Sequence, residues 1–172
     1  MKIWTAFLFT LIVATVGCFS NDEDPNPFSA VFDPPVWQDN IQLVSIDTTP
    51  SAQIDLFVAA NGMDTVQTPS GLVYAILEPG GGVKPDSAAP ITAWYRGYRT
   101  DGAIFDEVSV TPFVGPLDDL LEGWQEAIPL LGRGGRMWML LKPELAYGDD
   151  PPSGGAISDS TVLVFELELL DF

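Results

Sequence analysis

From residue 68 to the C-terminus the chain carries several strand-length apolar segments but only one helical run, and this imbalance constrains its fold more than any other feature. The run is LLEGWQEAI, residues 120–128, in which Leu120, Leu121, Trp124 and Ile128 recur at the spacings of one helical face. The strand candidates are residues 72–77, 91–99, 103–106, 136–141 and 161–170, separated by turns such as PGGG at 79–82 and TDG at 100–102. Nothing else in this stretch is long enough to cover a sheet face. The expected class is therefore α+β, a twisted antiparallel β-sheet with one short α-helix packed against it. Trp124, rigid and flat, serves equally as core filler or as the floor of an apolar pocket.

The side-chain inventory removes whole branches of chemistry. Seven Lys and Arg stand against 24 Asp and Glu, a formal net charge of -17, so phosphate backbones are repelled and nucleic acid is not an expected partner. There is no histidine, which excludes Ser-His-Asp and Cys-His catalysis and His-ligated metals. Cys18 is the one cysteine, leaving no intramolecular disulfide and no thiolate cluster. Carboxylates alone can hold calcium, but Asp149 and Asp150 beside Pro151 read as solvated turn residues. No metal and no cofactor is expected. The glycines of LGRGGR, residues 131–136, lack the spacing of a phosphate loop and read as turn chemistry.

Residues 1–17 read as a signal peptide: Lys2, an apolar run over residues 3–16, then Gly17 and Cys18. TVGC at 15–18 resembles a bacterial lipobox, with Thr15 where leucine is usual. That resemblance implies acylation of Cys18 and a membrane anchor in the bacterial cell envelope. Residues 18–35, rich in Asp, Asn and Pro, form a tether. Residues 36–67 make an N-terminal extension. Within it residues 42–46 predict a short strand, and residues 51–61 predict a helix capped by Ser51, stopped at Asn61-Gly62 and apolar along Ile54, Phe57 and Val58. That helix is expected to pack against the main domain or a partner.

Five motifs follow in order: WYRGY at 94–98, TDGAIFDE at 100–107, PLDDLLEGWQEAI at 116–128, GGRMWMLLKPELAYG at 134–148 and STVLVFELELLDF at 160–172. Together they resemble the FKBP family of peptidyl-prolyl cis-trans isomerases over residues 68–172, and the TPSGL opening at 68–72 resembles its lipid-anchored bacterial members. The resemblance implies a sheet wrapped around the short helix and proline-containing polypeptides as substrates. Position by position it carries catalytic roles to Tyr95, Phe105, Asp106, Trp124, Tyr147 and Phe165, and substrate contacts to Phe113, Leu120, Leu121 and Ile157. Two departures stand out. The interval from Phe113 to Trp124 is longer than the family's, and after the loop from Tyr147 to Ile157 Ser158-Asp159 stands where a Pro-Pro pair is common.

The chemistry is consistent with this inventory. Rotation about an X–Pro bond is slow because it breaks amide resonance, against a barrier of about 18–20 kcal/mol. A dry aromatic cavity favours the less polar twisted amide, and no nucleophile or metal is needed. Asp106 is expected to orient Tyr95 rather than transfer protons. Two non-catalytic readings remain open on sequence grounds: a module that only binds Pro-containing segments of an envelope partner, and a holdase chaperone.

Overall fold

A computed structural model describes residues 36–172; the signal segment, Cys18 and the tether lie outside the described residues. The described chain opens with helix α1, Pro50–Asn61. It starts one residue earlier than the sequence predicts. Thr49 rather than Ser51 caps it, its Oγ1 accepting from the Ala52 amide at 3.4 Å, and Pro50 takes the first turn where its missing N–H costs nothing. Gly62 ends it at φ 59°, as the Asn61-Gly62 stop predicts. Residues 42–46, expected as a strand, join no ladder. Their backbone is held elsewhere: Gln42 exchanges hydrogen bonds with the Asn61 side chain, and the Val44 amide donates to the Thr100 carbonyl.

Six strands follow: β1 (Val66–Gln67), β2 (Val73–Glu78), β3 (Pro90–Arg99), β4 (Ile104–Pro116), β5 (Gly135–Leu141) and β6 (Leu163–Asp171). They form one antiparallel sheet in the order β1-β2-β5-β6-β3-β4. Helix α2, Glu122–Ala127, sits between two 3-10 turns, so Leu120 and Leu121 precede the helix instead of opening it. Gly123 brings α2 close to β5, where an added Cβ would stand 2.3 Å from a methyl of Leu141.

Strand β4 is longer than the four residues expected. It continues past Asp106 through a bulge: Val108 pairs with Tyr95 and Phe113 with Ala93, so residues 109–112 loop out beside Trp94. This detour and the 3-10 turn at Leu117–Asp119 occupy the long interval before Trp124 and leave Phe113 facing it.

Both faces of the sheet are covered. On one, Met137, Met139, Leu141, Leu163, Phe165, Leu167 and Leu169 pack against Trp124, Ala127 and Ile128. On the other, Val73, Ala75, Tyr98, Trp138, Leu140 and Val164 pack under Ile54 and Phe57 of α1. Phe57 stands 6.3 Å from Tyr98 and 6.2 Å from Trp138, ring centroid to centroid. The unbroken apolar run of β5 follows from this arrangement, since successive residues serve opposite cores. The sequence-level choice for α1, domain or partner, resolves to the domain's own sheet.

Candidate active site

The α2 side of the sheet holds an open cavity of about 210 Å³, lined by Tyr95, Phe105, Asp106, Phe113, Leu120, Leu121, Trp124, Tyr147 and Phe165. The structure thus gathers nine of the ten residues picked out from the sequence, drawn from five separate segments. The tenth, Ile157, lines an adjoining depression of about 290 Å³ together with Phe105, Asp106, Tyr147 and the loop from Pro152 to Ala156.

Trp124 and Phe165 form the buried floor, 5.2 Å apart and nearly perpendicular. Tyr95 stands edge-on to Trp124 at 5.1 Å, and Phe105 edge-on to Phe165 at 5.5 Å. Such T-shaped contacts hold each ring's orientation beyond what burial alone gives. Two residues that sequence reasoning passed over make this possible. A Cβ on Gly97 would lie 2.6 Å from Phe105 Cζ and 2.9 Å from Phe165 Cε1, so only glycine lets both rings approach β3 this closely. Gln125 clips the rim, its Nε2 donating to the Leu120 carbonyl at 2.7 Å and to that of Asp118 at 3.1 Å, which holds Leu120 over the cavity. A glycine inside the WYRGY strand was the available signal for the first; nothing in the sequence marked the second.

The polar groups are few. The Tyr95 hydroxyl donates to Asp106 Oδ2 at 2.6 Å. Burial, then the hydrogen bond to Asp106 and its charge, push the Tyr95 phenol well above the usual range. Tyr147 is also raised, first by burial and then by the charge of Asp106, so its hydroxyl stays a donor at neutral pH. Tyr147 is fixed between two turns: the amides of Ala146 and Gly148 both donate to the Pro143 carbonyl, and its own carbonyl accepts from Asp150. Among the described residues no group of three or more His, Cys, Asp or Glu side chains is arranged to hold a metal ion.

Fold and cavity define a class: an α+β domain whose aromatic socket, walled by hydrogen-bonding groups, has room for a small apolar ring. Comparison with known proteins names it. A model of the FKBP-type peptidyl-prolyl cis-trans isomerase family matches residues 81–170. The chain is 35% identical over 117 residues to the FKBP-type isomerase FkpA of Escherichia coli K12, covering 67% of this chain and 42% of that one. It is 35% identical over 124 residues to the outer membrane protein MIP of Legionella longbeachae, covering 69% and 52%. The crystal structure of E. coli FkpA superposes with a TM-score of 0.64 at 31% identity, over 71% of this chain and 56% of that one. A peptidyl-prolyl isomerase structure from Pseudomonas syringae gives 0.62 at 30% identity, over 70% and 88%. The chain therefore belongs to the FKBP-type peptidyl-prolyl cis-trans isomerase family. It spans about half the length of these curated relatives.

Proposed function

We propose that the chain catalyses cis–trans isomerisation of X–Pro bonds in polypeptides of the bacterial cell envelope, and that it is held there by a lipid on Cys18. The observation that carries the catalytic reading is the aromatic socket itself, with Tyr95, Phe105, Trp124 and Phe165 placed around a space open to solvent on one side. A proline ring enters it between Trp124 and Phe105, with Leu120, Leu121 and Phe113 at the rim. In this low-polarity space the planar amide loses solvation, whereas the twisted amide, with less charge separated between nitrogen and oxygen, loses less. Each 1.4 kcal/mol of that difference is about tenfold in rate. Tyr147 donates a hydrogen bond to a substrate carbonyl and holds one side of the peptide while the other rotates. Asp106 fixes Tyr95 and sets a negative potential beside the rotating bond. Ile157 and its loop support the chain leaving the socket.

An envelope location is supported by the signal-like start of the sequence and by the printed name of the MIP relative, an outer membrane protein. The lipid is tested by metabolic labelling with a fatty-acid analogue, which should mark the wild type and not Cys18→Ser. The activity is tested by a protease-free exchange assay on short X–Pro peptides. Acceleration that falls sharply in Trp124→Ala, with the fold retained, supports isomerase function. A chain that binds the peptides without accelerating them is a recognition module instead.

A further inference from the structure

A cavity of about 450 Å³ lies where residues 38–42 and the end of α1 meet strand β2, and it shares no residue with the socket or the depression beside it. Residues 37–42 alternate at its border. Trp37 packs on the guanidinium of Arg96 at 5.4 Å, Asp39 pairs with the same arginine at 3.7 Å, and Ile41 joins the second core. Gln38, Asn40 and Gln42 line the cavity instead, the period of two that an extended segment gives. The segment is pinned by its backbone. The Gln38 amide donates to Glu166 at 3.2 Å, the Val36 carbonyl accepts from Arg136 at 3.2 Å, and Gln42 exchanges bonds of 2.8 and 3.0 Å with the Asn61 side chain. Among the described residues the carboxamides of Gln38, Asn40 and Gln42 are engaged by no hydrogen bond, so three groups that both donate and accept stand in a row on a fixed support.

The other border is an open strand edge. Strand β1 pairs only with Val73 and Tyr74, so further along β2 carries a strand on one side alone, β5. Ala75, Ile76 and Leu77 of this open stretch line the cavity, and Leu77, at a bulge, pairs with no residue of β5. Ile76 and Leu77 are exposed. Asp64 is the only charged side chain in the lining.

We infer that this cavity takes an extended polypeptide segment, added as a strand along Ala75, Ile76 and Leu77, with the carboxamides of Gln38, Asn40 and Gln42 bonding its outer edge. An open edge supplies the main-chain hydrogen bonds of such an addition. The outward N–H and C=O groups of the added strand recur at every second residue, as the carboxamides do. Asp64 and the net charge of -17 favour an uncharged or basic segment over an acidic one. The site recognises backbone and needs no proline, so it goes beyond isomerisation: it is a second grip on a polypeptide, away from the socket.

The test uses a fluorescent, proline-free peptide that alternates Thr and Val around one central Lys, its Glu counterpart, and a copy N-methylated at every second residue. Binding to the full-length protein is read by anisotropy, and amide exchange is followed over residues 75–78. The Lys peptide should bind and slow that exchange. The N-methylated copy, which cannot pair along one edge, should bind about tenfold or more weakly. The Glu counterpart should bind about two- to fivefold less tightly at low salt, a difference that Asp64→Asn should erase. Replacing Gln38, Asn40 and Gln42 together by Ala should weaken binding about tenfold while the melting temperature and the rate on short X–Pro peptides stay at wild type. No binding, or binding indifferent to N-methylation, overturns the inference. Displacement of the probe by a short X–Pro peptide overturns it too, because the probe would then sit in the socket. Slower exchange at residues 75–78 that grows with protein concentration, without peptide, would make a second copy of the chain the occupant and overturn it as well. A protein that isomerises nothing yet binds the probe in this way keeps the inference and loses the isomerase reading.

Discussion

Tyr95 and Asp106 meet diagonally across the β3–β4 ladder, phenol to carboxylate at 2.6 Å, although Tyr95 pairs in register with Val108 and Asp106 with Gly97. The diagonal bond pulls the Tyr95 ring over the socket and against Trp124. A carboxylate here thus acts on the cavity through the ring it holds.

Two substitutions separate the bond from the ring. Tyr95→Phe keeps the wall and removes the donor, and is expected to cost about fivefold in kcat/KM, the rate equivalent of about 1 kcal/mol for one hydrogen bond. Asp106→Ala removes the partner and the local negative potential together, and should cost about tenfold or more. Both chains should melt close to wild type, since the pair lies at the cavity's open side. Steady-state rates with thermal melts check this; two unaltered rates would remove Asp106 from the machinery.

Alkaline stability follows from the buried phenols. Tyr95, Tyr98 and Tyr147 are all raised, each chiefly by burial, with Asp106 adding to the first and third and Glu166 to the second. Below about pH 10, the ordinary phenol value, both folded and unfolded chains keep these protons and the contribution is whole. As pH rises further the unfolded chain releases protons that the folded chain retains, so stability falls. The Tyr98 hydroxyl is moreover buried without a partner among the described residues. Tyr98→Phe should therefore raise the melting temperature at neutral pH and flatten its decline above about pH 10. A lower melting temperature at neutral pH would show instead that the hydroxyl has a partner in solution.

Gly97 sets the shape of the socket. Gly97→Ala forces a methyl against Phe105 and Phe165, and the rings have room to move only into the cavity. The expected result is a loss of about 1–3 kcal/mol in stability from overpacking, with a rise in KM for X–Pro peptides. Unchanged KM in a well-folded variant would show that the rings retreat elsewhere.

How much of this was legible in the sequence depends on the range of the forces involved. Trp124, Phe105, Tyr147 and Phe165 were recognisable because ordered motifs of aromatics and glycines leave few other arrangements. Thr49 was passed over as a cap because Ser51, a residue type equally suited, stands two positions on. Residues 42–46 are apolar enough for a strand, yet the Asn61 side chain satisfies Gln42 and the Thr100 carbonyl takes the Val44 amide instead. The bulge at residues 109–112 was illegible, because pairing across β3 creates it and no local propensity does. Gln125 looked like a surface residue of a helix; its role appears only once the turn at Leu117–Asp119 folds back onto it.

The loop of the depression depends on one arginine. Arg99 donates to the Ala156 carbonyl at 3.1 Å and to both carboxylate oxygens of Asp101, tying the segment before Ile157 to the β3–β4 turn. The hydrogen bond to Arg99 holds the Asp101 carboxyl below its usual range, so this clasp is intact above the ordinary carboxylate pKa and is lost as pH falls through the lowered folded value. Arg99→Leu should speed amide exchange at residues 154–157 and raise KM more than it lowers kcat, because the socket's rings stay in place.

The last prediction concerns the sheet's other face. Phe57 is fully buried between Tyr98 and Trp138, so Phe57→Ala should destabilise the fold by about 3–5 kcal/mol. Removing residues 36–67 would uncover the whole second core, including Trp138 and Leu140. Tyr95 and Phe165 of the socket belong to the opposite face, so at low temperature, where Phe57→Ala is still folded, its rate on short peptides should stay close to wild type. Denaturant titration and peptide kinetics on one preparation separate the two effects. A chain beginning at Thr68 that melted with the full protein would overturn the assignment of α1 to the core and return it to a partner surface.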